Sequence, residues 1–206
     1  MAITKKQLTK TELRKYVHAY SPLFPGWTPL GGIGFMRVSG PVAQKVWLEA
    51  LSYGAYRPAS GVSILVAKSA GMLHQFLDIK HREVLPAEHD AMFDRVCRAM
   101  QEQFVPSIIA PLEVNEVCRL CEERAVERIG DARSLAALNA YLGNTEAAKK
   151  WLDEVARLAS EKSELYDYDK ERMAAADQIR LALSNGTVME LLEEIRLSEL
   201  ACLSNL

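Results

Sequence analysis

The sequence predicts an α+β protein in which a small antiparallel β-meander with flanking helices is followed by stacked helical hairpins. Between residues 33 and 85, short apolar segments alternate with turns rich in glycine and proline, a pattern typical of strands. After Pro86, apolar residues recur at every third or fourth position, which is typical of amphipathic helices. With 206 residues, of which 49% are hydrophobic, the chain can bury a sizeable core.

The N-terminal part begins with a predicted helix from Thr9 to Tyr20. We expect Thr11 to cap this helix and Ser21-Pro22 to end it, because the residue before proline disfavours the α conformation. Residues 21–32 carry three prolines and three glycines among large apolar side chains. This composition predicts an ordered loop packed on a core, since a free linker would be more polar.

Short apolar segments joined by short turns predict the meander. Parallel pairing would need a crossover of a dozen or more residues, so we expect antiparallel neighbours. Ser39-Gly40-Pro41 has the composition of a turn, whereas Gln44–Leu51 also fits a short helix. The predicted strands are Ile33–Val38, Val42–Leu51, Val62–Ala67 and Leu73–Ile79.

The rest of the chain is predicted to be helical. Gly143 suits a left-handed helix end, Asn144-Thr145 suits the next helix start, and Ser184-Asn185-Gly186 suits a second hairpin turn. The predicted helices are Ala87–Phe104, Glu113–Ile129 (stopped by Gly130-Asp131), Asp131–Leu142, Thr145–Ala159, Tyr166–Leu183 and Thr187–Leu203. The chain is thereby divided into an α+β region, residues 1–110, and a helical hairpin region packed on it, residues 111–206.

Charge and composition limit the class of partner. The net charge is −2, so nothing draws the whole chain toward nucleic acid or anionic lipid, and we expect neither as a partner. Residues 1–109 nevertheless carry a net charge of +5 and residues 110–206 a net charge of −7, so the helical region could steer a basic partner. The alternative is that solvated helices use glutamate for its helix propensity. Four cysteines form no disulfide framework, and neither a signal peptide nor a long apolar run is evident, which predicts a cytoplasmic location.

Few residues have the spacing of a catalytic or metal site. Cys118 and Cys121 form a C-x2-C pair, but no second pair follows, and their spacing favours packing on one helical face. A metal-dependent hydrolase is an alternative, because histidines and carboxylates, the usual ligands of such a site, crowd between residues 74 and 94. The histidines of this cluster are His74, His81 and His89. We expect no cofactor and no catalytic residue, and therefore a protein that is not an enzyme.

The most distinctive polar stretch lies at the junction between two predicted helices. It places two tyrosines among carboxylates, and tyrosines are enriched at the centres of protein interfaces. The alternative is that Asp167 or Asp169 caps the following helix while Tyr166 packs between the hairpins. The candidate partner-binding residues are Glu164, Tyr166, Asp167, Tyr168, Asp169 and Glu171.

One helical hairpin resembles a tetratricopeptide-type helix pair. The residues that carry the resemblance are Leu135, Leu138, Tyr141-Leu142-Gly143-Asn144, Ala147-Ala148 and Trp151-Leu152. The next hairpin does not repeat the pattern at the period of 34 residues. The resemblance implies helical hairpins stacked in series, and an adaptor or scaffold with a peptide groove is a second alternative.

Residues 10–105 resemble small bacterial α+β proteins of the polymorphic-toxin immunity type. The resemblance is carried by an initial helix, by a short strand before a helix, and by the segments Gly34-Phe-Met-Arg37, Gln44-Lys-Val-Trp-Leu48 and Tyr56-Arg-Pro58. It implies a cytoplasmic protein that acts by binding another protein. The leading hypothesis is therefore an immunity protein or inhibitor that neutralises a toxin, with a basic toxin domain as the expected partner, by occluding its active site.

Overall fold

The computed structural model describes residues 7–67, 72–78, 83–124 and 126–204. Within these ranges a five-stranded antiparallel sheet in sequential order is followed by a series of helices, which confirms the α+β prediction. The strands are β1 (Thr28–Leu30), β2 (Gly34–Ser39), β3 (Val42–Ala50), β4 (Tyr56–Ile64) and β5 (Met72–Phe76). The helices are α1 (Lys10–Tyr20), α2 (His89–Gln103), α3 (Val114–Glu122), α4 (Ile129–Tyr141), α5 (Thr145–Ser160), α6 (Asp167–Asn185) and α7 (Val188–Ser204).

The ambiguous segment Gln44–Leu51 forms most of β3, paired on both sides. Sheet pairing there buries Val46 and Leu48 on one face, because alternate residues of a strand point to the same side. The turn before it is tight: Ser39 pairs with Val42, and Gly40 between them has a φ of 50°.

The structure differs from the predicted strand pattern at β1, at the start of β4 and at Leu65–Ala67, which form a 3-10 turn and not the end of the strand predicted over Val62–Ala67. β1 lies inside the predicted loop 21–32, because its three residues are too few to show an alternation. β4 begins at Tyr56, six residues before the predicted start at Val62, and includes Pro58, which pairs with Leu48. Proline has no N–H to donate, so a strand tolerates it where no neighbouring strand needs that donor. The pairing of β4 with β5 begins at Ala59, so Pro58 lies just outside it.

The cap of the first helix and the end of the helix predicted from Glu113 also differ, beyond shifts of one or two residues at other helix ends. Thr9 caps α1 instead of Thr11: its hydroxyl accepts the Glu12 N–H at 3.2 Å and the Glu12 carboxylate accepts the Thr9 N–H at 2.8 Å. This reciprocal capping box needs a glutamate three residues after the cap, which Thr9 has. The predicted helix Glu113–Ile129 ends at Glu122, and α4 begins at Ile129 with Gly130 in its first turn.

The two faces of the sheet are covered by different helices. On one face, Phe35, Val46, Leu48 and Tyr56 pack with residues of α1 and α2. At the far end of the same face, residues of β3 and β4 share a cluster with α3 to α7, including Val42, Val62, Leu135, Leu138 and Leu152. The opposite face meets α7, where Leu200 and Leu203 pack against Leu30, Met36, Ala43 and Leu65. In the described ranges no helix has the length and apolar character required to cross a membrane.

Candidate functional site

The junction between α5 and α6 holds the residues that the sequence singles out. Tyr166 lies in extended conformation directly before α6, and no side chain caps that helix, so neither Asp167 nor Asp169 has the capping role considered above. Asp169 is 1% exposed and accepts hydrogen bonds from Lys162 Nζ at 2.5 Å, while Arg172 Nη1 lies 3.6 Å from its other oxygen. Asp169 therefore holds the junction together and does not face a partner.

Tyr166 and Tyr168 lie outside this buried ion pair and face solvent. Their rings stack with centroids 5.5 Å apart and planes 12° from parallel, and they remain 60% and 49% exposed. Tyr166 thus does not pack between the hairpins. The Arg172 guanidinium lies 5.0 Å from the centre of the Tyr168 ring, so the cation that binds Asp169 also holds one tyrosine in place.

Exposed carboxylates lie close in sequence to the two tyrosines. The side chain of Asp167 is 95% exposed and pairs with Lys170 at 3.1 Å, and Glu164 and Glu171 are exposed as well. An exposed ion pair of this kind contributes little stability, so its charges remain available to a partner. We call Glu164, Tyr166, Asp167, Tyr168 and Glu171 the tyrosine patch.

The histidines do not converge in the described part of the chain. His74 lies on the sheet face that carries Trp47, and their rings stack at 5.1 Å. His89 is buried on the opposite face, where Nδ1 lies 2.6 Å from the Tyr56 hydroxyl. His81 lies outside the described residues. Among those that are described, no group of three or more His, Cys, Asp or Glu side chains could hold a metal ion.

A buried hydrogen-bonded chain links Tyr20, Tyr56 and His89. The two hydroxyls are 3.0 Å apart, and Tyr16 and Phe93 pack against the rings. Burial raises the pKa of Tyr20 to about 12 and lowers the pKa of His89, against an opposing effect of Asp90. These three hydrogen-bonded side chains therefore stay uncharged near neutral pH, which suits their position in the core between α1, α2 and β4.

This lowered pKa predicts a loss of stability in acid. As the pH falls through 6.5, the ordinary value for histidine, unfolded chains bind a proton that folded His89 does not, so the free energy of unfolding decreases. Thermal melts between about pH 7.5 and pH 5.5 measure the effect. In a His89→Gln variant the dependence of stability on pH should become shallower. An unaltered profile for His89→Gln would contradict the assignment.

The C-x2-C pair packs in the core. Cys118 and Cys121 are 5% and 0% exposed on one side of α3, among apolar residues of α4 and the sheet. Burial raises the pKa of Cys118 to about 11 and that of Cys121 to about 12, so both are protonated thiols at neutral pH. The structure therefore bears out core packing for these two residues.

The concave surface beside β5 is not indicated by any motif in the sequence. Two cavities, of about 570 Å³ and 340 Å³, meet at Met72 and His74. The larger is lined by Arg124 and Asp131 among others, and the smaller by Lys45 and Trp47. The pairing register of β3, β4 and β5 brings Lys45, Trp47 and His74 together, and the packing of α3 and α4 adds Arg124 and Asp131. No sequence spacing indicates either arrangement.

No family model, no curated protein and no solved structure matches this chain. The resemblances to immunity proteins and to tetratricopeptide hairpins therefore stay predictions that rest on short motifs.

Proposed function

We propose that this chain is a non-enzymatic binding protein of the immunity or inhibitor type, which acts in the cytoplasm and covers the active site of a toxin. In this proposal the tyrosine patch is the centre of the contact surface. The observation that carries it is the exposure of Tyr166 and Tyr168 as a stacked pair at a junction fixed by the buried Asp169.

Preorganisation supports this role. An exposed flexible tyrosine loses conformational freedom on binding, whereas a ring already held by its neighbour loses less. Tyr168 is held from one side by Tyr166 and from another by Arg172, which is itself engaged with Asp169. Two such rings provide a rigid apolar surface with a polar edge, as interface centres commonly do.

Charge supports a basic partner. The exposed residues Glu164, Asp167 and Glu171 flank the two tyrosines in the sequence, and residues 110–206 together carry a balance of −7. Acidic charge of this kind accelerates association with a basic partner and disfavours binding to an acidic one. A toxin domain that acts on nucleic acid would present a basic substrate channel, and an acidic protein that covers it would block the substrate by charge as well as by bulk.

The test is co-expression with the product of the neighbouring gene, which in toxin systems encodes the toxin. We expect this chain to restore growth of cells that make that product and to co-purify with it as a stable complex. An immunity function requires both results. If the product is harmless alone, or remains toxic while this chain is present at equal amounts, the proposal is wrong.

A further inference from the structure

A buried arginine lies in the helical region, away from the tyrosine patch. Arg133 of α4 is only 8% exposed. It lines a cavity of about 300 Å³ formed by the 3-10 turn Leu65–Ala67 together with residues of α6 and α7. Arginine is almost never buried to this degree unless its charge is paired.

The charge of Arg133 is not paired within the described part of the chain. Its Nη2 donates to the carbonyl oxygen of Ala67, but Nε finds no acceptor among the described residues. Burial lowers the pKa of Arg133, the neighbouring cation Arg172 lowers it further, and Glu199 opposes both only in part. A buried guanidinium with an unused donor is costly, and its retention calls for an acceptor from elsewhere.

The walls of the cavity indicate what that acceptor belongs to. Aliphatic side chains form much of the lining, among them Val66, Ile179, Leu191 and Ile195. The polar lining residues Gln178, Glu194 and Ser198 are exposed, so they stand at the mouth. A cation surrounded by apolar walls suits a molecule with one anionic end and an aliphatic body.

The charges around the cavity select among anions. Glu194 at the mouth and Glu199 nearby would repel a dianion such as a phosphate monoester more than a single carboxylate. The planar fork of a guanidinium also matches a carboxylate well. The volume of about 300 Å³ lies at the lower end for ligand sites, which limits the body to a short chain.

From these observations we propose that the Arg133 cavity is a binding site for a small aliphatic monocarboxylate. The carboxylate pairs with the guanidinium of Arg133 and accepts hydrogen bonds from it, and the aliphatic chain packs on Val66, Ile179, Leu191 and Ile195. This site is separate from the tyrosine patch and does not depend on the proposed function.

The test follows the Nε–Hε resonance of Arg133 by ¹H–¹⁵N NMR on the full chain, with hexanoate as the probe and hexanamide as its uncharged isostere. The Arg133→Lys variant assigns the resonance by its disappearance. Hexanoate should shift it saturably with a Kd at or below about 1 mM, and hexanamide should bind at least about tenfold more weakly. No saturable shift, or equal binding of the two probes, would overturn the proposal.

Two further variants keep the test independent of changes at Arg133 itself. Ala175→Leu adds bulk to the cavity wall, whereas Ala174→Leu adds the same bulk to the neighbouring exposed position of α6. With Arg133 intact, Ala175→Leu should weaken hexanoate binding at least about tenfold and Ala174→Leu should not change it. If both variants bind hexanoate like the wild type, the anion lies elsewhere and the site is wrongly assigned.

Discussion

Replacement of Tyr166 and Tyr168 together by alanine is expected to weaken binding of the partner about 1,000-fold, because each aromatic residue at an interface centre contributes about 2 kcal/mol or more. Folding should be nearly unaffected, since both rings are largely exposed and substitutions at exposed sites change stability by about 0.5 kcal/mol or less. Isothermal titration calorimetry measures the affinity, and thermal melts measure the stability.

The matched control is Leu181→Ala. Leu181 lies on the same helix, α6, and is 63% exposed, so its removal deletes a similar exposed apolar side chain outside the tyrosine patch. Affinity should not change. Tyr166→Phe should retain most of the affinity if ring area carries the contact. A double alanine variant that binds as tightly as Leu181→Ala would exclude the patch as the contact surface.

Removal of the buried carboxylate in Asp169→Ala is expected to reduce the free energy of unfolding by about 2 to 3 kcal/mol. Breaking a fully buried ion pair costs roughly 3–5 kcal/mol, because the remaining charge has no partner. Here the cost is lower, since Lys162 and Arg172 are each 33% exposed and can turn toward water. Urea denaturation followed by circular dichroism measures the loss.

Asp167→Ala is the control for this change, because it removes the same group two residues away at a side chain that is 95% exposed. Its effect on stability should stay within about 0.5 kcal/mol. Asp169→Ala should also weaken partner binding, since Arg172 would no longer be held beside Tyr168. Equal stability of the two variants would show that Asp169 does not hold the junction.

The sequence predicts the class of fold because its signals are local. The short apolar segments, the turn at Gly40 and the apolar period of α2 each lie within a dozen residues of sequence. The sequence of β3 alone also fitted a short helix, and only its pairing with β2 and β4 makes it a strand. β1 could not be predicted, because three residues between Pro25 and Gly31 show no period. The early start of β4 could not be predicted because it includes Pro58, and proline normally argues against a strand. Pro58 is tolerated there because β5 pairs with β4 only from Ala59 onward, which the sequence does not reveal.

The candidate sites depend on contacts that sequence does not contain. Tyrosines among carboxylates indicate the junction, but the burial of Asp169 depends on Lys162, which is brought to it by the turn between α5 and α6. Arg133 looks like an ordinary helical surface residue until α6 and α7 cover it. In both cases the packing of separate helices decides which side chains remain exposed.

Photo-cross-linking tests the central claim most directly, with benzoylphenylalanine placed at position 166 or at position 181 of the full chain in complex with its partner. Both positions are exposed and lie at or on α6, at 60% and 63%. The account predicts a cross-link to the partner from position 166 and none from position 181. A complex that forms normally but yields a cross-link only from position 181 would contradict it.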